Sequence, residues 1–221
     1  MVAEYVEKNA VLADIGSDHA YLPTYLVKKG TIQKAIAGEV VKGPYDSAVK
    51  NVKREEVADH ITVRLANGLQ AIHEEDGVSI VTIAGMGGPL IAKILEEGKA
   101  LLTSVKRIIT QPNIHAGAIR EWAILNEWTI IDEKILKEDD KIYEIVVLER
   151  GKGNYTPLAQ LLGPKLMREK HPVFHEKWQR EVNQWKQILK SLEGANQDEA
   201  VQMKKNQLLE KIEQVERVLH D

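Results

Sequence analysis

The chain has 221 residues, 43% of them hydrophobic and 29% charged, with a formal net charge of −3. That is the make-up of a globular protein with one substantial core and room for an appendage, which excludes a disordered or collagen-like chain. The absence of cysteine excludes disulfides, thiolate catalysis and thiolate metal sites together. No apolar run approaches the ~18 residues of a membrane span, and no basic-then-apolar leader opens the sequence, so a soluble, cytoplasmic protein is expected.

The first element is a buried strand at 11–15, which opens the segment VLADIGSDHAYLP. Its apolar run delivers Asp14, then Gly16 for a tight turn, then Ser17, Asp18 and His19 ahead of a helix near 20–29. A dinucleotide site would place three glycines here, so that a pyrophosphate lies against the backbone. Two carboxylates instead repel a pyrophosphate and suit a cationic, hydroxyl-bearing ligand such as S-adenosylmethionine. Further strands are predicted at 34–38, 61–65, 79–84, 107–110, 128–136 and 142–149, with helices near 44–53, 88–102 and 116–126. This alternation predicts an α/β fold, a parallel sheet covered by helices on both faces. The last two strands are joined only by the polar turn KEDDK at 137–141, which predicts an antiparallel hairpin. Seven strands ending in such a hairpin match the class I methyltransferase Rossmann-like sheet.

After residue 150 the pattern changes. Gly151, Gly153, Pro157, Gly163 and Pro164 punctuate a linker, so residues 1–150 are read as one domain and 151–221 as a helical appendage. Trp178, Val182, Trp185, Leu189 and Leu192 recur at heptad spacing, and Leu208, Ile212, Val215 and Leu219 repeat it after a polar break at 194–198. Two antiparallel helices packed as a short coiled coil would bury both stripes. The tryptophans could alternatively stack on nucleobases. Between Lys152 and Lys190 there are eight basic residues against three acidic ones, a local surplus of five that leaves −8 on the remainder. Such a block is a candidate polyanion contact or a solvated helix face. His171 and His175 stand four apart with Pro172 between them and no third ligand nearby, so no metal site is expected.

Ligands of open parallel sheets bind beyond the carboxyl ends of the strands. There the sequence places Asp14, Gly16, Ser17, Asp18 and His19; then Gly38, Glu39 and Val40; then Asn67 and Gly68; then Ala84, Gly85, Met86, Gly87 and Gly88; then Gln111, Pro112 and Asn113. Glu39 can accept two ribose hydroxyls or be a helix N-terminal acid. Asn67 and Gly68 can meet an adenine edge or form a plain turn. The Gly85–Gly88 glycines can leave room for a flat base or serve positive φ. Together at five successive strand ends they favour a nucleoside cofactor site.

The runs LADIGSDHAYLP, AIAGEV, VRLANGL, TIAGMGG and QPN resemble, in order and spacing, those of the bacterial tRNA adenine-22 N1-methyltransferases, the TrmK family. The likeness spans residues 3–150 and, more loosely, the C-terminal helices. It implies a class I enzyme with a C-terminal coiled coil that uses S-adenosylmethionine to methylate N1 of an adenine in the tRNA D arm. Family members also carry a short leucine- and arginine-containing helix ahead of the equivalent of residues 2–8. By the same likeness Asp14, Gly16 and Asp18 face the methionine part of the cofactor, Glu39 its ribose, and Asn67 and Gly68 its adenine, with Ser17 and Val40 as further cofactor-binding candidates. Gly85 to Gly88 border the methyl group and the target base, Ala84 is a further cofactor-binding candidate, and Met86, Pro112, Asn113 and Tyr21 line a receiving pocket for the base, with Gly87, Gly88 and Gln111 as further substrate-binding candidates. Asp18, with His19 and Tyr21 beside it, is the catalytic candidate, the alternative being that Asp18 caps the following helix. Lys165, Arg168, Lys177 and Arg180 of the basic block are the candidate phosphate contacts, with a monomer or weak homodimer expected. Other readings are a non-enzymatic cofactor-binding or interaction module, and a methyltransferase acting on a small molecule or protein.

Overall fold

The computed structural model of the protein describes residues 1–193 and 199–220. They divide into two compact units, Met1–Lys134 with Tyr143–Asn154, and Ile135–Ile142 with the chain from Tyr155 onward. The first holds the body of a seven-stranded sheet, with strands β1 (Val11–Ile15), β2 (Lys34–Glu39), β3 (Ile61–Leu65), β4 (Ile80–Gly87), β5 (Arg107–Ile114), β6 (Trp128–Glu138) and β7 (Lys141–Arg150). Their order is β3-β2-β1-β4-β5-β7-β6. The first five run parallel, and β7 enters antiparallel beside β5. The order reverses between β1 and β4, which places a topological switch point at the carboxyl end of β1.

The central strands are nearly continuous runs of buried aliphatic residues, Leu12–Ala13 in β1 and Ile80–Ile83 in β4, because helices cover both faces. Those helices are α1 (Tyr21–Lys28), α2 (Lys42–Arg54), α3 (Gly88–Glu97) and α4 (Gly117–Leu125). Two predicted boundaries move. The helix expected to reach 102 stops at Glu97, where Gly98, at φ −106° and ψ 12°, leaves helical geometry; a Cβ there would stand 2.4 Å from that of Leu69, and a 3-10 turn, Lys99–Leu102, follows. Strands β4 and β5 continue past 84 and 110 to Gly87 and Ile114, with register irregularities at Ala84, Met86 and Gly87.

Behind the sheet ends, α4 contributes the fully buried Arg120. Its guanidinium donates to Glu133 of β6 at 2.6 Å and to Glu144 of β7 at 2.6 Å. Burial acts to lower the pKa of Arg120, but Glu144 and Glu133 outweigh it, so the site keeps its charge.

The second unit is built on α7 (Pro172–Glu193) and α8 (Glu199–His220), preceded by the short α5 (Pro157–Leu162) and α6 (Leu166–Glu169). Its core joins Phe174, Trp178, Val182 and Trp185 to Ile212 and Val215, with Leu189, Leu208 and Leu219 packed at the margin. Both tryptophans are therefore core residues. Ile135 and Ile142, at the tip of the β6–β7 hairpin, belong to this cluster too. Lys186 pairs with Glu216 at 2.6 Å, and Lys211 lies 4.3 Å from the Trp185 ring centroid. The predicted polar break at 194–198 lies outside the described residues. No helix among the described residues is long and apolar enough to cross a membrane.

Candidate active site

The site begins where β1 stops. Gly16 takes φ +68°, and the Met86 methyl occupies the space a Cβ would need, 2.1 Å away. Its N–H donates to the Gly38 carbonyl at 2.9 Å, which ties the turn to β2. Two residues earlier, the buried Asp14 accepts hydrogen bonds from Ser17 Oγ at 2.5 Å and from Thr82 Oγ1 at 2.6 Å. Burial pushes the Asp14 carboxyl above its ordinary 3.8, while the two hydroxyls work to lower it.

Asp18, His19 and Ala20 then follow one another at φ 37°, 58° and 55°. Left-handed backbone costs a residue with a Cβ roughly 1–2 kcal/mol, so three in succession persist only when their surroundings hold them. Two side chains do so. Glu39 Oε1, at the end of β2, accepts from the Asp18 N–H at 2.5 Å, and Asn51 Nδ2 of α2 donates to the His19 carbonyl at 2.8 Å. Helix α1 starts on Ala20, without a side-chain cap. The capping alternative for Asp18 therefore falls: its side chain is 79% exposed, with His19 Nε2 3.5 Å from its Oδ1. The His19 ring stacks on Tyr21 at 5.2 Å and 16°.

Glu39 is raised above its ordinary 4.5, first by burial and then by the charges of Asp18 and Asp14; the Asp18 N–H and His19 act to lower it. Next to it Val40 is 63% exposed, and Leu65 of β3, the register partner of Glu39, is 51% exposed. Two bare aliphatic side chains at adjacent strand ends offer a surface on which a purine can lie. Asn67 is exposed, makes no capping bond, and precedes Gly68 at φ +53°. The 3-10 turn Gly68–Ala71 is held by Arg64, which donates to the Ala71 carbonyl at 2.7 Å and to Asp76.

At β4 and β5 the side chains hold one another. Gly85, at φ +76°, donates its N–H to Gln111 Oε1 at 3.1 Å, and its carbonyl accepts from Asn113 Nδ2 at 2.8 Å. Pro112 is buried, while Ala84, Met86 and Gly87 are half-buried. Gly88 passes so near the His115 carbonyl that a Cβ would lie 2.0 Å from its oxygen. The sequence placed Gly85–Gly88 and Gln111–Asn113 in loops after their strands. They lie in the strands or, for Gly88, at the start of α3, because the bulge and the two amides let β4 and β5 keep pairing there. The geometry also adds Thr82 and Asn51, which sequence reasoning missed. Each is a polar residue on an otherwise apolar buried face, and that is the signal that marks them.

In the second unit Arg168 is exposed and Lys165 half-buried, Lys177 lies 4.8 Å from the Trp178 ring centroid, and Arg180 pairs with Glu176. His171 is engaged locally, its Nδ1 accepting from the Val173 N–H at 3.2 Å. A cleft of about 650 Å³ lies at the opposite, amino edge of the sheet, between Lys8, Ser79 and Arg107. Arg107 there is taken up by Glu149 and Glu7, and Arg150 lies 4.1 Å from the Trp128 ring centroid, so the cleft lacks convergent groups.

A parallel sheet closed by an antiparallel hairpin, with carboxylates at the ends of β1 and β2 and no glycine cradle for a pyrophosphate, defines a class I S-adenosylmethionine-dependent methyltransferase. The donor set fits that cofactor: the carboxyl groups of Asp14 and Asp18 suit its ammonium and sulfonium, that of Glu39 its ribose hydroxyls, and the bare Val40 and Leu65 its adenine. The profile of the TrmK family, tRNA (adenine(22)-N(1))-methyltransferase, matches residues 12–217, and the chain belongs to that family. It is 44% identical to the Bacillus subtilis tRNA (adenine(22)-N(1))-methyltransferase, over 99% of this chain and 94% of that one. A Streptococcus pneumoniae protein solved in complex with S-adenosyl-L-methionine superposes with a TM-score of 0.90 at 46% identity, covering 99% of this chain and 96% of the other. Mycoplasma capricolum TrmK, solved with S-adenosylhomocysteine, superposes with a TM-score of 0.84 at 25% identity, covering 99% and 95%.

Proposed function

We infer that this chain transfers the methyl group of S-adenosylmethionine to N1 of adenine 22 in the D arm of tRNA. The observation that carries the reading is the family match across residues 12–217, joined to a strained, doubly braced turn at the switch point of the sheet. Bound S-adenosylmethionine supplies an activated methyl group. What remains for the chain is to hold the adenine in line and to exclude water.

The geometry supports a role for each residue. Glu39 gives one oxygen to the Asp18 backbone and leaves the other for a ribose hydroxyl. Val40 and Leu65 bed the adenine of the cofactor, with Asn67 and Gly68 at its edge. Asp14 is buried beneath the turn, where it holds Ser17 and Thr82 and acts on the cofactor from behind them. Adenine N1 attacks with its own lone pair, so no strong base is required, but the product is a cation. The exposed Asp18 carboxylate stabilises that charge, and the stacked His19 and Tyr21 rings steer the base. Because N1 lies on the pairing edge, the adenine leaves its stack, and Met86, Gly87, Gly88 and the Gln111–Asn113 segment form the surface that receives it. In the second unit Lys165, Arg168, Lys177 and Arg180 hold phosphates.

The test is labelled methyl transfer from S-adenosylmethionine to two unmodified tRNAs that differ only in adenine 22 or guanine 22. Label on the adenine tRNA alone, mapped to N1, supports the assignment. Equal labelling of both, or label on a small molecule or protein instead, would refute it.

A further inference from the structure

Helix α1 turns Pro23, Thr24 and Leu26 inward, as an amphipathic helix should. Its outer face is not the usual charged one. Tyr21 and Tyr25, one turn apart, remain 59% and 51% exposed, and neither hydroxyl has a hydrogen-bond partner among the described residues. No core packing accounts for two bare aromatic rings there.

The rings extend a line that begins at the site. His19 stacks on Tyr21, Tyr25 follows at i+4 on the same face, and Lys29 Nζ sits 5.4 Å from the Tyr25 ring centroid. At 1.5 Å rise per residue, the span from Tyr21 to Lys29 is about 12 Å, the length of about three or four stacked nucleotides. Charge accompanies it. From Tyr21 to Arg54 the sequence carries seven basic residues against two acidic ones, Glu39 and Asp46, on a chain whose net charge is −3. Asp46 takes up Lys42, and Glu55 takes up Lys28 and Arg54. Lys29 and, on the neighbouring α2, Lys50 and Lys53 have no ion pair among the described residues.

We propose that the outer face of α1, Tyr21 to Tyr25 to Lys29, is a stacking platform for unpaired nucleobases of the tRNA beside the target adenine, with Lys29 on an adjoining phosphate. Exposed aromatics in line with free lysines are what single-stranded RNA binds, because every base has a face to stack and every linkage a charge. The proposal rests on the methyltransferase reading for the position of the target adenine.

Binding of unmodified tRNA, followed by fluorescence anisotropy with S-adenosylhomocysteine present, tests the platform apart from turnover, and methyl transfer is assayed in parallel. Tyr25→Ala should weaken tRNA binding about tenfold, as the loss of one stacked base, with affinity for S-adenosylmethionine unchanged. Tyr25→Phe should bind like the wild type. Lys29→Gln should reduce the slope of log K against log salt by about one. Wild-type tRNA binding by Tyr25→Ala would overturn the proposal, and so would a Phe variant as impaired as the Ala one. A wild-type protein that binds tRNA through Tyr25 but transfers no methyl group would instead refute the functional reading and leave the platform standing.

Discussion

At the scale of single residues the candidate site is governed by buried carboxyl groups. Asp14 and Glu39 both have carboxyls raised above their ordinary values, chiefly by burial. A carboxyl whose pKa is higher in the folded chain than in the unfolded one contributes stability below the unfolded value, and loses it as pH rises through the folded value. The ligand-free protein should therefore lose stability as pH climbs out of the ordinary carboxylate range through the raised one, and Asp14→Asn should flatten that loss in urea titrations. A cationic ligand reverses the sign, since it binds the ionised form. Affinity for S-adenosylmethionine should rise over the same window, and calorimetry between about pH 4 and about pH 8 measures it. An affinity flat across that range would show that the Asp14 carboxyl does not act on the cation. In the sequence, Asp14 and Glu39 were legible because each ends an apolar run. The bracing by Thr82 and Asn51 was not, because nothing in a linear pattern says which buried polar group meets which backbone atom.

At the scale of elements, the seven strands and the closing hairpin could be read from apolar periodicity alone, while their ends could not. The extension of β4 and β5 depends on Gln111 and Asn113 reaching across to the peptide of Gly85, a long-range fit that no local propensity encodes. The close approach of Gly98, after the end of α3, to Leu69 is another such fit. The buried Arg120, Glu133 and Glu144 joining α4 to the hairpin escaped sequence reading for a related reason, since charged residues on amphipathic elements read as exposed. Arg120→Met would strand two buried carboxylates, and denaturant unfolding should show a loss of about 3–5 kcal/mol. Replacing all three with apolar residues of similar volume should recover most of it. A loss below about 1 kcal/mol for Arg120→Met would mean the pair is solvated in solution.

At the scale of the whole molecule, the chain devotes one unit to a sheet whose switch point gathers its carboxylates, and another to a helical pair whose tryptophans are interior. The heptad spacing of Trp178, Val182 and Trp185 made that interior legible. What the sequence left open was Asp18, and the structure narrows it: the residue sits in a left-handed turn, caps nothing and turns its carboxylate to solvent beside His19. Three successive left-handed residues, braced from β2 and α2, cost stability that binding or catalysis would offset. Single-turnover methyl transfer to unmodified tRNA by Asp18→Asn, at saturating S-adenosylmethionine, tests this most directly. The rate should fall about 10²-fold, the usual scale for removing one group that stabilises developing charge. A wild-type rate with the cofactor bound would contradict the account.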